Sequence, residues 1–347
     1  MANSKLEAIR DYLIPNKSDN KSEKLRKIVF IFSVIVFIAS LVQLGLFLRN
    51  KGAQENYQKE LLSYAPQLDD EPAKTTETSS PGSKDTSKPE PDTKKAERTI
   101  QPWAQKLLNR NKDVVGWLSI PSLTDSSGSA YINTVVVKGK NNEEYLNIDL
   151  DKKYSETGTI FIDHRCDIQK DSQSDNITIY GHHMNYLGTG FAHLHEYKQS
   201  VDVLRKNAVV NFNTIYDGTN QKYAIIGCFV TNAFEGADNG NIFRYWDTAN
   251  FKKDGSDFKQ WIAEVNKRSW YASDIKCTAQ DDYITLSTCS DEVWGIRWVI
   301  VAKKLTANDD IEKIKSSYRA KADKDIYFPA NWVNKIGNKP VYYGWDY

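Results

Sequence analysis

The sequence predicts a mainly β domain carried behind one membrane-spanning helix. Three observations point there. Residues 28–48 form an uncharged apolar run, large apolar residues almost vanish over 67–98, and beyond residue 100 short alternating segments recur with most of the Trp and Tyr. The chain has 347 residues, with 46 Lys+Arg against 45 Asp+Glu and a net charge of +1. That balance gives no electrostatic footprint for nucleic acid. The four cysteines, Cys166, Cys228, Cys277 and Cys289, show no CxxC and no zinc-like spacing, which argues against a disulfide scaffold or a structural metal.

The run IVFIFSVIVFIASLVQLGLFL, 28–48, would span about 30 Å as a helix, the thickness of a bilayer's hydrocarbon core. Lys5, Arg10, Lys17, Lys21, Lys24, Arg26 and Lys27 precede it, whereas only Arg49, Lys51 and Lys59 follow closely. The positive-inside bias therefore puts residues 1–27 in the cytoplasm and everything after about residue 50 outside. The rival reading, a cleaved signal peptide, calls for a shorter apolar region and a small-residue cleavage site, and none is evident after Leu48. Residues 49–99 read as an extracellular tether. Its stretch QLDDEPAKTTETSSPGSKDTSKPEPDTKKAER cannot bury enough apolar surface to fold and is expected to be largely disordered.

The globular part begins with an amphipathic helix around Trp103, Leu107 and Leu108. Strands are expected at 115–120, 131–138, 158–163, 176–180, 208–212, 222–230, 283–288 and 296–303. Gly, Asn and Asp in many of the gaps suit hairpins and barrel corners. One helix interrupts the pattern at 257–267, where Phe258, Trp261, Ile262 and Val265 form an apolar stripe. The tail at 306–347 ends in FPANWVNKIGNKPVYYGWDY, too aromatic for a disordered segment, and is expected to pack on the domain.

The chemistry concentrates in ITLSTCSDEVWGIRWVIV, 284–301. With period two, Ile284, Leu286 and Thr288 share one face, while Thr285, Ser287 and Cys289 share the other. A polar break follows, and a hairpin across it would bring Arg297 to Cys289. In NITIYGHHMNY, a strand stops at Gly181 and sets His182 and His183 just beyond its end. Thiol, imidazole and guanidinium together supply a nucleophile, a proton carrier and an oxyanion partner, the parts needed for acyl transfer. Taken singly, Cys289 reads equally well as a small buried hydrophobe, and a lone histidine as a packed or surface residue. A metal site built from these histidines with DHRC (His164, Cys166) and HLH (His193, His195) matches no ligand spacing.

TLSTC at 285–289, Arg297 downstream and YGHHM at 180–184 resemble the sortases, membrane-anchored cysteine transpeptidases of Gram-positive bacteria. The resemblance covers roughly 101–305, within an expected catalytic domain at 100–305. It leans to class B through GWLSIP at 116–121, EYLNIDLDKKYSETGTIFID at 144–163 and the helix-bearing insertion ahead of Cys289. It implies a closed sortase-type β-barrel, with Cys289 as nucleophile, His182 as general acid/base and Arg297 as electrostatic partner, and with no cofactor. His183 then falls outside the essential set. Ser287 and Thr288 are expected in the substrate groove, although Ser287 equally suits a local strand hydrogen bond. The implied substrate is a Leu/Asn-Pro-x-Thr sorting signal on a secreted protein. The implied acceptor is an amine of the cell wall or, in a pilus-building enzyme, a pilin lysine. Three features depart from the family pattern: Ser290 follows the cysteine where many relatives carry an acid, the segment SLTDSSGSAYIN is long, and so is the tail.

Two other classes remain open at this point. A papain-like hydrolase also pairs cysteine with histidine, but its cysteine lies early in the chain on a helix, whereas Cys289 is late and on a strand. A membrane-tethered domain that binds surface peptides without catalysis would leave Cys289 inert.

Overall fold

The computed structural model describes residues 10–66, 98–184, 188–217, 220–234 and 236–341. The chain divides into two compact units, Met1–Glu60 and Leu61–Tyr347. The tether expected from composition falls mainly on 67–97, outside the described residues.

Helix α1, Lys21–Leu62, contains the uncharged run and continues beyond it. By length and composition it suffices to cross a membrane, and none of its apolar window is buried. Its two hydroxyls inside the run are satisfied locally: Ser33 and Ser40 donate to the carbonyls of Val29 and Val36, at 2.8 and 2.9 Å. This matters in lipid, where a polar group has no water partner.

Helix α2, Pro102–Arg110, opens the second unit with proline at its start, where a missing N–H costs nothing, and buries Ala104, Leu107 and Leu108. The strands are β1 (Val114–Ser119), β2 (Asn133–Val137), β3 (Phe161–Ile162), β4 (Asn176–Tyr180), the short hairpin β5 (His183–Met184) and β6 (Thr189–Gly190), then β7 (Val209–Thr214), β8 (Lys222–Asn232), β9 (Tyr271–Ala272), β10 (Tyr283–Cys289), β11 (Ile296–Lys304) and β12 (Arg319–Ala320). The main sheet pairs in the order β1-β2-β3-β4-β10-β11-β8-β7, and β7 pairs back to β1, so the sheet closes on itself. These are the segments expected from their alternation. The expected strand at 158–163 shortens to two residues in β3.

Alternation explains two of the apolar clusters. Inward-facing Ile284, Leu286, Ile296, Trp298 and Ile300 join the large apolar cluster. On the outer face, Tyr283, Val299 and Val301 pack with Ile226 and Phe229 under Phe258, Trp261 and Val265 of the later helix Ser256–Arg268. Between β6 and β7 the chain forms a 3₁₀ helix, Ala192–Lys198, and helix α3, Val201–Lys206, capped by the Ser200 hydroxyl. Periodicity in the sequence does not reveal either. Helix α4 is Ser256–Arg268, α5 is Ile311–Ser317 and α6 is Ala330–Ile336.

The tail after β11 contributes Tyr318, Ile326, Phe328 and Trp332 to the large apolar cluster. Trp332 lies 6.1 Å from Trp270, which in turn sits 4.7 Å from Trp298 of β11. The tail also grips a loop: Tyr327 Oη and the Ala330 backbone N–H donate to the Asp238 carboxylate at 2.6 and 2.7 Å. Trp332→Ala is expected to destabilise the domain by about 3–5 kcal/mol through the cavity it leaves, read as a lowered denaturation midpoint at unchanged m-value.

Candidate active site

Three adjacent strands of the closed sheet end at one place. Strands β4 and β10 run parallel, with Ser287 beside Tyr180. Continuing that register two residues carries Cys289 alongside His182, because both advance past the last paired rung in the same direction. Strand β11 runs antiparallel to β10, and its register sets Arg297 opposite Cys289. Side chains two apart share a face, so Ser287, Cys289 and Arg297 all lie on the outer face, away from Leu286 and Trp298. The Arg297 Nη1–H points at the Cys289 sulfur from 2.7 Å. Cys289 is exposed and Arg297 half-buried.

The turn bearing His182 is tied to the strand bearing Cys289. Thr288 Oγ1 donates to the Gly181 carbonyl at 2.8 Å, and the Gly181 N–H donates to the Ser287 carbonyl at 3.3 Å. The His182 carbonyl accepts from the Phe191 N–H at 2.7 Å. Glycine at 181 is required by space: a Cβ there would meet the Phe191 ring at 2.8 Å. A glycine at a strand end also permits a sharp turn, but close packing of an aromatic ring is what the fold demands here.

The imidazole is oriented by a backbone carbonyl. His182 Nε2 lies 2.8 Å from the Leu146 oxygen. A carbonyl only accepts, so Nε2 carries the proton and Nδ1 is left to exchange one. Leu146 is placed by a second glycine. Gly158 has φ +59°, and a Cβ would stand 2.3 Å from the Leu146 oxygen and 2.5 Å from that of Tyr145. Gly158→Ala is therefore expected to displace the Leu146 carbonyl and lower activity about 10-fold or more through misorientation of His182. Steady-state turnover, with folding checked by circular dichroism, tests this.

Cys289, Arg297, His182 and Ser287 line one cleft of about 410 Å³. Asn142, Leu146, Arg165, Ala233, Tyr245 and Trp246 also line it. Arg165 holds both oxygens of the buried Asp163 at 2.8 and 2.7 Å and reaches Asp247 at 2.6 Å. Burial would raise the Asp163 carboxyl, but the Arg165 bonds outweigh it and hold it below the usual range. Ser287 lines the cleft and shares a hydrogen bond of 2.6 Å with the Tyr245 hydroxyl, a partner distant in sequence and not the local one the strand suggests.

Thr288 is placed differently from its expected groove position. It is buried on the opposite face, its hydroxyl is spent on Gly181, and it does not line the cleft. Period two dictates this, since Thr288 lies between two cleft-facing residues. The residues of the β8–β10 connection that line the cleft, Tyr245 and Trp246, belong to the 3₁₀ turn Tyr245–Asp247, while α4 packs on the outer face of the sheet. Tyr245, Trp246, Leu146 and Arg165 have no local motif that would single them out in the sequence.

His183 points elsewhere. Its side chain is buried, stands 3.0 Å from the Asp291 carboxylate and stacks on His195 at 3.8 Å. His164 lies 3.6 Å from Asp163, and His193 stacks on Tyr131 at 3.4 Å. Burial pushes the Cys166 thiol up to about 12 and Cys277 to about 11, and raises Cys228 further still. Cys289 is the exposed thiol of the four.

No family model matches this chain. Over 212 residues it is 32% identical to sortase B of Staphylococcus aureus, covering 60% of this chain and 77% of that protein. Over 189 residues it is 31% identical to sortase B of Listeria monocytogenes, covering 54% of this chain and 66% of the relative. The solved Staphylococcus aureus sortase B-substrate complex superimposes with a TM-score of 0.50 at 27% identity, over 60% of this chain and 87% of that one.

Proposed function

Because this chain belongs to the sortase family and is class B-like, we propose that it is a membrane-anchored transpeptidase that moves a sorting-signal peptide from its own protein onto an amine of the cell wall. The observation that carries this reading is the convergence of Cys289, His182 and Arg297 in one cleft, with guanidinium on sulfur. The contact sets the guanidinium beside the sulfur, where it can meet the charge that develops as the sulfur attacks a carbonyl.

The Cys289 thiolate attacks the carbonyl carbon of the signal's threonine, forming a C–S bond and a tetrahedral oxyanion. Arg297 offers charge to that oxyanion. Collapse breaks the C–N bond, and protonated His182 gives its proton to the departing nitrogen, leaving a thioester. An acceptor amine then attacks the thioester and loses a proton to His182. The sulfur departs as thiolate, and the enzyme is restored with a new amide made.

The segment around α1 serves as a single-pass anchor, with the basic residues before it on the cytoplasmic side and the catalytic domain outside. The Leu/Asn-Pro-x-Thr class fits a cleft with apolar walls at Leu146, Tyr245 and Trp246 and hydrogen-bonding groups at Asn142 and Ser287.

Incubating the detergent-solubilised full chain with a panel of such peptides and a primary amine tests the proposal by mass spectrometry. The expected result is an acyl adduct on Cys289 that disappears into an amine-linked product. A peptide-binding domain without catalysis would bind the panel and never gain the adduct.

A further inference from the structure

The polar residues directly after the nucleophile do not enter the cleft. Ser290 and Glu292 turn inward onto a buried cation, while Asp291 between them is exposed and meets His183. Lys198, in the 3₁₀ helix, has Nζ 2.5 Å from Glu292 Oε1, and both side chains are essentially inaccessible. The same ammonium lies 3.4 Å from Ser290 Oγ and 3.2 Å from His195 Nδ1, and the Ser290 hydroxyl donates to the second oxygen of Glu292. The other nitrogen of His195, Nε2, stands 2.9 Å from the carbonyl oxygen of Cys289 itself.

Two partners fix the state of His195. The Cys289 carbonyl can only accept, so Nε2 carries a proton, and an ammonium can only donate, so Nδ1 presents its lone pair. Burial first, then the Lys198 charge and His183, hold this imidazole well below its usual protonation range, so the ring stays neutral. Lys198 is pulled down to about 8 by burial against the opposing pull of Glu292. Glu292 stays below its ordinary value because Lys198 outweighs its burial. A buried ion pair is a poor source of stability compared with apolar packing, so its presence beside the nucleophile suggests a role in geometry.

We propose that His195 is a positioning residue for the Cys289 thiol, held in its Nε2–H form by the Lys198–Glu292 pair and clamping the nucleophile's own carbonyl. This rests on the reading of Cys289 as the acyl acceptor. The clamp acts where the strand ends, at the residue whose sulfur must meet both Arg297 and the substrate carbonyl. His195 also stacks on His183, the residue next to His182, so the same ring backs both halves of the site.

The test compares His195→Gln, His195→Asn and His195→Leu in the full chain in detergent. A glutamine amide nitrogen sits where Nε2 does and reaches the Cys289 carbonyl; an asparagine amide sits where Nδ1 does and reaches only Lys198. Asn and Leu are expected to lower kcat about 10-fold or more with KM within about twofold, whereas Gln recovers most of that loss. The rate of Cys289 modification by iodoacetamide should follow the same order, and it needs no sorting peptide. If no peptide is ever transferred by the wild type, yet alkylation still falls in Asn and Leu and recovers in Gln, the positioning role stands and the transpeptidase reading fails. Folded Asn or Leu variants with wild-type kcat and alkylation overturn the proposal. A Gln variant no better than Asn does so as well, since it would tie any loss to general stability. Should Leu fail to fold, the Gln–Asn pair alone decides.

Discussion

Cys289→Ala is expected to abolish both the acyl adduct and amine-linked product while leaving the fold intact. Among the described residues that line the cleft Cys289 carries the one thiol, and the Ser287 hydroxyl is held by Tyr245, so the strongest nucleophile is lost. The residue is exposed at a strand end, and removing one exposed atom opens no internal cavity, so the stability change should stay within about 0.5 kcal/mol. Mass spectrometry of the reaction and a denaturation curve of the variant check the two halves. Product formation by a well-folded Cys289→Ala protein would remove the proposed mechanism outright.

Arg297→Ala is expected to lower kcat/KM by about 10²-fold or more, the scale seen when one preorganised oxyanion donor is lost. Arg297→Lys keeps the charge and loses the planar fork, so it should retain only a small fraction of the activity. The split between constants is informative. Loss confined to KM would mean that Arg297 binds substrate evenly, whereas loss in kcat places its contribution in the transition state. His182→Ala should be comparably severe. His183→Ala should register mainly in stability, because that side chain is buried against Asp291 and His195.

Much of this was legible in the sequence because alternation is a strong local signal. The eight segments of the closed sheet and the apolar stripe of α4 all announce themselves by spacing. So did Cys289 and Arg297, since a hairpin of given register determines which residues meet. The remainder depends on contacts distant in sequence. His195 stands out in the sequence only as a candidate metal ligand, Lys198 and Glu292 not at all, and nothing in their spacing announces that all three are buried together. The Leu146 carbonyl that orients His182 is backbone, which carries no residue signature at all. Thr288 shows how alternation can be read too generously: neighbours of a reactive residue in sequence are on the other side of the sheet.

The parallel pairing of β4 with β10 has a consequence for how such an enzyme can change. Cysteine ends β10 and histidine lies two residues past the end of the neighbouring β4, so their separation is set by the interstrand spacing of about 4.8 Å, by register and by the hydrogen bonds that tie the Gly181 turn to Ser287 and Thr288. Arginine is added by the next strand over on the same principle. Tyr245 and Trp246, which line the cleft, belong instead to the long connection between β8 and β10. On the proposed function, reactivity and selectivity would thus reside in separable parts of the chain. Mutation could then remodel that connection without moving Cys289, His182 and Arg297, leaving the choice of peptide free to drift while the chemistry stays fixed.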